Sequence, residues 1–339
     1  MEVGFGLISC QRYPGDGRSW TELYAEALEL AAAADRLGFS SVWTTEHHFV
    51  DDGYMPSLLV TSAAIAARTS SIRIGTGLLL APLYEPLRLA EDAATVDLIS
   101  RGRLVLGLGL GWSEIEFEAF DASTATRGRA MTEILQILPQ AWSGHPVQHQ
   151  GGVYHPPPVA LRPLPQRRIP IWVGGRAEPA IRRAARLADG FLSNASPEGL
   201  RKQVEIARDE QERAGRDEED FAWAHYQMTY PCDDPDRGWE EVRPYVWHMR
   251  WKYRDMQSSA ARVGDIPAAP PLDGETEQRL RSTVLMGTGH EIAARVLETR
   301  AAAGVELEFI ARSYFPGMPF GQQTELLHRI AEEVMPHLA

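Results

Sequence analysis

Residues 31–49 read AAAADRLGFSSVWTTEHHF, and two changes of pattern occur inside them. The alanine-rich part closes an apolar stripe of helical period that begins near residue 22. It stops at Gly38, where glycine suits the left-handed position just past a helix end. Residues 41–45 then form a short apolar run of strand length, and where that run gives out stand Glu46, His47, His48 and Phe49. The unit is helix, turn, buried strand, polar strand end.

The same alternation recurs along the chain. Strand-length runs occupy 3–8, 41–45, 72–80, 103–109, 169–173, 190–193, 221–229 and 305–311. Helical stripes fall at 22–37, 57–67, 86–99, 127–142, 179–188, 198–213, 291–303 and 322–337. Pro86 and Pro179 suit first-turn positions, and Gly304 ends a helix before the last strand. Strands that alternate with helices imply βαβ units and a parallel sheet buried on both faces. About eight units favour a closed barrel over a doubly wound open sheet, where about five to seven strands and a glycine-rich first turn are expected. The expected fold is therefore α/β, a (β/α)8 TIM barrel in one domain over residues 1–339. Two stretches interrupt the rhythm: 144–165 after the fourth helix, rich in Pro, Gly and His, and the polar 231–281 after the seventh strand. Both are longer than ordinary connections, and long barrel loops often serve as lids.

The composition fits a globular protein, with 44% hydrophobic and 24% charged residues. Its 46 acidic residues against 34 basic ones give a formal charge of −12, which repels nucleic acid and anionic lipid. Neither is an expected partner. Cys10 and Cys232 stand alone, without CxxC or Cys/His spacing, so no disulfide framework and no zinc site is expected. Met1 leads into an apolar stretch without a basic leader, and no apolar run approaches the roughly 18 residues of a membrane span. A cytoplasmic location is the expectation.

In such a barrel chemistry collects where strands end. The polar groups at those ends are Glu46-His47-His48, the Gly109-Leu110-Gly111-Trp112 run, Gly174-Gly175-Arg176, Asn194, His225 with Tyr230, and Arg312-Ser313-Tyr314. Three adjacent residues cannot all point at one metal ion, and HExxH spacing is absent, so no metal site is expected. The histidines suit acid–base work near neutral pH, or else they lock a loop by hydrogen bonds. Gly174-Gly175-Arg176 ahead of a helix is either an anion cradle or a tight turn. The glycines at 107, 109 and 111 lack GxGxxG spacing and end a strand, so they suit close approach of a flat ring better than a dinucleotide fingerprint. No nucleophile elbow or Walker A loop is present.

Taken together, 31–49, 72–82 (IRIGTGLLLAP), 86–111 (PLRLAEDAATVDLISRGRLVLGLGLG), 170–190 (PIWVGGRAEPAIRRAARLADG) and 316–319 resemble the bacterial luciferase-like family of flavin-dependent monooxygenases, in order and spacing. The resemblance implies FMN or a related flavin at the C-terminal rim of the barrel. His47 matches the family's catalytic histidine. Thr76, Gly77 and Leu78 match the segment beneath the flavin ring, where a non-prolyl cis peptide is expected, and Gly109 faces the ring. Arg129 matches a phosphate-contacting arginine, and Gly174, Gly175 and Arg176 are candidates for the same phosphate. Leu110 departs from the pattern, standing where the family has a second phosphate-binding arginine. A lost charge-assisted hydrogen bond costs about 1.5–3 kcal/mol, roughly ten- to a hundredfold in flavin affinity unless Arg176 compensates. That suits an enzyme taking reduced flavin as a diffusing substrate.

The leading reading is a monooxygenase. Reduced FMN comes from a separate flavin reductase, O2 is the oxidant, and a small apolar or aromatic molecule is oxygenated. The 231–281 insertion closes over the site, where Trp247, Met249, Trp251 and Tyr253 form either an apolar lid wall or ordinary packing. A deazaflavin coenzyme in a hydride-transfer enzyme is the second reading, and a flavin-binding protein without turnover the third. The resemblance further implies a homodimer or homotetramer.

Overall fold

The computed structural model describes residues 1–339. Its strands are β1 (Val3–Ile8), β2 (Ser41–Thr44), β3 (Arg73–Thr76), β4 (Leu79–Leu80), β5 (Leu104–Gly109), β6 (Ile171–Gly174), β7 (Gly190–Ser193), β8 (Ala222–Pro231), β9 (Val284–Gly287) and β10 (Glu308–Arg312). Its helices are α1 (Trp20–Arg36), α2 (Leu58–Arg68), α3 (Pro86–Ser100), α4 (Glu114–Ala119), α5 (Arg127–Ala141), α6 (Glu178–Leu187), α7 (Pro197–Ala214), α8 (Pro235–Ser259), α9 (Gly274–Arg281), α10 (Gly289–Ala303) and α11 (Phe320–Arg329). Every strand pairing is parallel. The order β1-β2-β3-β5-β6-β7-β8-β10 returns to β1, where Val3 pairs with Phe309, so eight staves close a (β/α)8 barrel as the alternation predicts. β4 continues β3 along β5, and β9 extends the far end of β8 outside the ring.

Local signals set the helix ends. Ser19 and Glu22 form a capping box on α1, and Thr288 and Glu291 form another on α10. Gly38 and Gly304, at φ +83° and +67°, take the left-handed turns expected of them.

Side-chain alternation along each stave separates two cores. Outward residues such as Val42, Val173, Trp223 and Phe309 pack under the helices in the main hydrophobic layer. Inward residues plug the barrel: Trp43 and Trp172, with ring centroids 5.4 Å apart, lie among Leu7, Val105, Leu192 and Ile310. The barrel interior is filled to this level, so any ligand must sit above the plug, at the C-terminal mouth.

The two interruptions differ in kind. Residues 144–165 carry no regular element and are pinned by the buried Glu133 of α5, which accepts from the amides of Gly152 (2.8 Å), Val153 (3.1 Å) and Tyr154 (2.9 Å). Burial opposes that carboxylate's charge, but the amides outweigh it and hold its pKa below the ordinary range. Residues 231–281, polar in sequence, are largely helical: they hold the 25-residue α8 and the shorter α9. No helix is long and apolar enough to cross a membrane.

Candidate active site

The residues after β2 turn into the barrel mouth and diverge. Glu46 points toward the start of α3's approach, accepting from the Leu80 amide (2.5 Å) and from the Tyr84 hydroxyl. His47 turns the other way, with Nδ1 3.0 Å from Glu116 Oε1, and the same oxygen accepts the His48 amide at 2.7 Å. His48 Nε2 lies 3.6 Å from Glu46 Oε1, too far to bond, and its ring packs on Phe120 at 4.8 Å. The three side chains thus serve three different environments, for the steric reason anticipated from their adjacency.

His47 is 5% exposed and sits in an aromatic cage, edge-on to Tyr54 (4.9 Å), Tyr253 (5.5 Å) and Trp112 (5.8 Å). A carboxylate on Nδ1 favours the tautomer with the proton there, leaving Nε2 as the nitrogen that exchanges protons. Tyr54 and Tyr253 are joined hydroxyl to hydroxyl at 3.2 Å, and Tyr54 also donates to Thr45 at 3.3 Å. Burial raises the Tyr54 phenol well above its ordinary value, so it stays neutral.

Glu46 is a second perturbed group. Burial raises its pKa from 4.5 to about 8, against the opposing pull of the Leu80 amide and the Tyr84 hydroxyl, with Glu116 adding to the rise. The folded state therefore holds a proton that the unfolded chain releases between the two values. The stability this contributes is present below about pH 4.5, falls as pH rises, and is gone by about pH 8. Glu46→Gln, which carries no such proton, is expected to flatten the decline of melting temperature over that range. An equally steep decline in the variant would remove Glu46 as its source.

Beneath the mouth, Thr76 locks β3 to β5 through two bonds with Gly107, its Oγ1 donating to the carbonyl and accepting from the amide, each at 2.8 Å. The next peptide, Gly77-Leu78, is cis, as the resemblance implies for this segment. Leu78 projects between Gly109 and Gly174: a Cβ on Gly109 would lie 3.0 Å from Leu78 Cβ, and one on Gly174 would strike Leu78 Cδ1. Thr76, Gly77, Leu78, Gly109 and Gly174 are thus brought together as one platform. The glycine at 107 answers to strand packing, since a Cβ there would overlap the Thr76 carbonyl.

Arg129 and Arg176 are both exposed, in the first turn of α5 and just ahead of α6, Arg176 two residues past Gly174 of the platform. Neither helix has a side-chain cap; the first-turn amides of α5 are free, whereas in α6 Pro179 has no N–H and the Ala180 amide donates to the Ala177 carbonyl at 2.9 Å, which leaves the Glu178 amide. The two helices are tied by Arg183 Nε donating to Thr132 Oγ1 at 2.9 Å, and Arg183 Nη1 is buried without a partner. Two uncapped helix starts and three arginines without carboxylate partners suit an anionic tail. Leu110 adds no charge, but Arg183, unforeseen from the sequence, stands in the same region. A flavin mononucleotide therefore fits in kind: a small-residue platform for a ring and a cationic corner for a phosphate.

A family model for luciferase-like monooxygenases matches residues 1–307. The chain belongs to the luciferase-like monooxygenase family. An uncharacterised protein of Sinorhizobium fredii, y4vJ, is 27% identical to this enzyme over 88% of the chain and 86% of its own length. The oxygenase component of flavin-dependent trigonelline monooxygenase from Acinetobacter baylyi is 34% identical, over 51% of this chain and 49% of that one. An F420-dependent glucose-6-phosphate dehydrogenase from Microbacterium testaceum is 29% identical over 58% and 61%. The enzyme thus spans about half of the trigonelline relative's length and 61% of the F420-dependent one's. Among solved structures, monooxygenase RslO1 from Streptomyces bottropensis superposes over the full length of both chains with TM-score 0.84 and 27% identity.

Besides Arg183, Glu116 and Tyr54 are the site residues that sequence reasoning missed. Glu116 lies on the six-residue α4, too short for a periodic signal, and Tyr54 follows the polar loop after β2. The one clue was position: both lie in segments directly after strand ends. Tyr253, one of the four alternating residues of the insertion expected as a lid wall or ordinary packing, is the one placed over His47.

Proposed function

We propose that this enzyme is a monooxygenase that uses reduced FMN from a separate reductase, together with O2, to oxygenate a small organic molecule. Overall, reduced FMN, O2 and substrate give oxidised FMN, water and the substrate bearing one oxygen atom. The flavin, when bound, supplies the two electrons and the oxygen-activating centre.

The observation that carries the reading is His47, buried at the mouth, oriented by Glu116 and fenced by Tyr54, Trp112 and Tyr253. Its Nε2 exchanges a proton at the reacting edge, while Glu116 fixes the ring and stabilises the imidazolium when it forms. The aromatic fence keeps water from that atom. Thr76, Gly77, Leu78 and Gly109 would lie beneath the ring. Arg129, Gly174, Gly175 and Arg176 would hold the phosphate, with Arg183 supporting them.

The name of the Acinetobacter relative, an oxygenase component, supports a separate reductase. The F420-dependent relatives support a second reading, hydride transfer with a deazaflavin at the same platform. One experiment divides them. Oxygen uptake is measured with FMN, NADH and an unrelated flavin reductase, and in parallel the purified protein is titrated with F420. Substrate-dependent oxygen uptake with FMN is expected. Binding of F420 without any oxygen consumption would replace the monooxygenase reading with the second.

A further inference from the structure

Above the plug the barrel mouth contains a cation that nothing in the protein neutralises. Ile310 and Arg312 are two apart on β10, so they share a face, and Ile310 belongs to the interior plug. Arg312 is therefore the next inward residue, at the mouth. No carboxylate pairs with it. Its Nη2 donates to Met249 Sδ at 3.2 Å, a weak acceptor, and its Nε is buried with no partner at all. Nε and Nη2 make up the edge of a guanidinium that grips a carboxylate with two parallel hydrogen bonds. Here that edge meets no anion, only the Met249 thioether, with the Tyr253 hydroxyl close to the guanidinium.

The surroundings are aromatic. Tyr226 lies on the inward face of β8, two residues below Met228, the strand partner of Arg312. Tyr54 and Tyr253 meet at their hydroxyls, and Tyr253 in turn stacks edge-on to His47. Burial works against the charge of Arg312, but the oxygens of Tyr253, Tyr226 and Tyr54 outweigh it and raise its pKa. Burial likewise keeps Tyr226 and Tyr54 in their neutral, hydrogen-donating form. The mouth thus presents a fixed positive fork, neutral hydroxyl donors and ring faces within one side chain's reach of His47. A half-buried arginine whose Nε is sealed from water without a partner is costly unless something arrives to pair with it.

We propose that the substrate is a small aromatic carboxylate, its carboxylate held by the Nε–Nη2 edge of Arg312 and its ring packed among Tyr54, Tyr226 and Tyr253. This rests on the mouth being the reaction site. The thioether of Met249 is displaced, and the bound ring comes to lie beside His47.

The test needs no turnover. Flavin-free full-length protein is titrated by calorimetry with benzoate and with benzamide, its neutral isostere. Benzoate is expected to bind at least about tenfold more tightly, as a charge-assisted pair is stronger than a neutral one. Arg312→Gln is expected to abolish that preference, weakening benzoate far more than benzamide. Arg312→Lys, which keeps the charge but loses the fork, retains part of it. Equal affinity for the two ligands in the unmodified protein overturns the proposal, whatever the variants do. So does a benzoate preference that survives Arg312→Gln. The same variants are titrated with FMN: weaker FMN binding in Arg312→Gln, with no benzoate preference in the parent, would assign the arginine to the flavin ring and sink the substrate class. Should oxygen uptake fail while the benzoate preference holds, the carboxylate site stands and the monooxygenase reading alone falls.

Discussion

His47→Ala is expected to lower substrate oxygenation by about a hundredfold or more, the usual loss when a positioned acid–base group is removed. The geometry separates this effect from a loss of binding. His47 touches Glu116 and three aromatic rings, whereas the arginines suited to a phosphate lie at the starts of α5 and α6. FMN affinity should therefore stay within about threefold, inside the span expected when no direct contact is lost. Glu116→Gln preserves a hydrogen-bond acceptor for the ring but withdraws the charge that favours the imidazolium, so it is expected to depress the rate less than His47→Ala. Product formation and oxygen uptake with saturating reduced FMN supply both measurements. A His47→Ala enzyme that oxygenates substrate at the parent rate would take this residue out of the mechanism.

The parts of this architecture that were legible in the sequence are those whose cause is local. β5, LVLGLG, is buried at every position and reads as a strand sealed on both faces. Gly38, Pro86 and Gly304 mark helix ends because their backbone constraints act at that residue alone. Repetition of such units was enough to close the ring. Residues 231–281 were harder. Their polar character reads as a loop, yet α8 needs only a narrow apolar face: Trp239, Val242, Val246, Met249 and Met256 are buried, and the polar His248 and Lys252 are buried beside them. β9 also lay just past that stretch without standing out, being four residues long and outside the ring. The site was half visible for a similar reason. Strand ends announced His47, Arg176 and Arg312. The partners that give them a role, Glu116 and Tyr253, stand 69 and 206 positions away from His47, and no spacing rule in one sequence connects them.

The largest effect on stability is expected at the junction that holds α8 over the site. Lys252 is fully buried, and its ammonium pairs with Asp51 and, at 2.9 Å, with Asp255. Arg262 closes the group, reaching Asp51 at 2.5 Å and Asp255 at 2.7 Å and 3.0 Å. Two carboxylates and two cations balance, and Arg262 and Lys252 hold the Asp255 carboxyl down to about 2. Burial, with the nearby Lys252, lowers neighbouring His248 to about 4, so it adds no charge near neutral pH. Asp51 is four residues past His47 and Lys252 is next to Tyr253, so this cluster fixes both sides of the aromatic cage at once. Lys252→Ala leaves a buried carboxylate short of its partner, a loss of about 3–5 kcal/mol. In a chain of this size that lowers the melting temperature by roughly 5 °C. Lys252→Met combined with Asp51→Leu removes both charges and fills their space, and Arg262 keeps its paired grip on Asp255. Most of the lost stability should therefore return, because two matched apolar groups cost less than one stranded ion. Differential scanning calorimetry of the single and double variants decides it. If Lys252→Ala melts with the parent, the cluster does not hold α8 in place, and Tyr253 must owe its position over His47 to apolar packing alone.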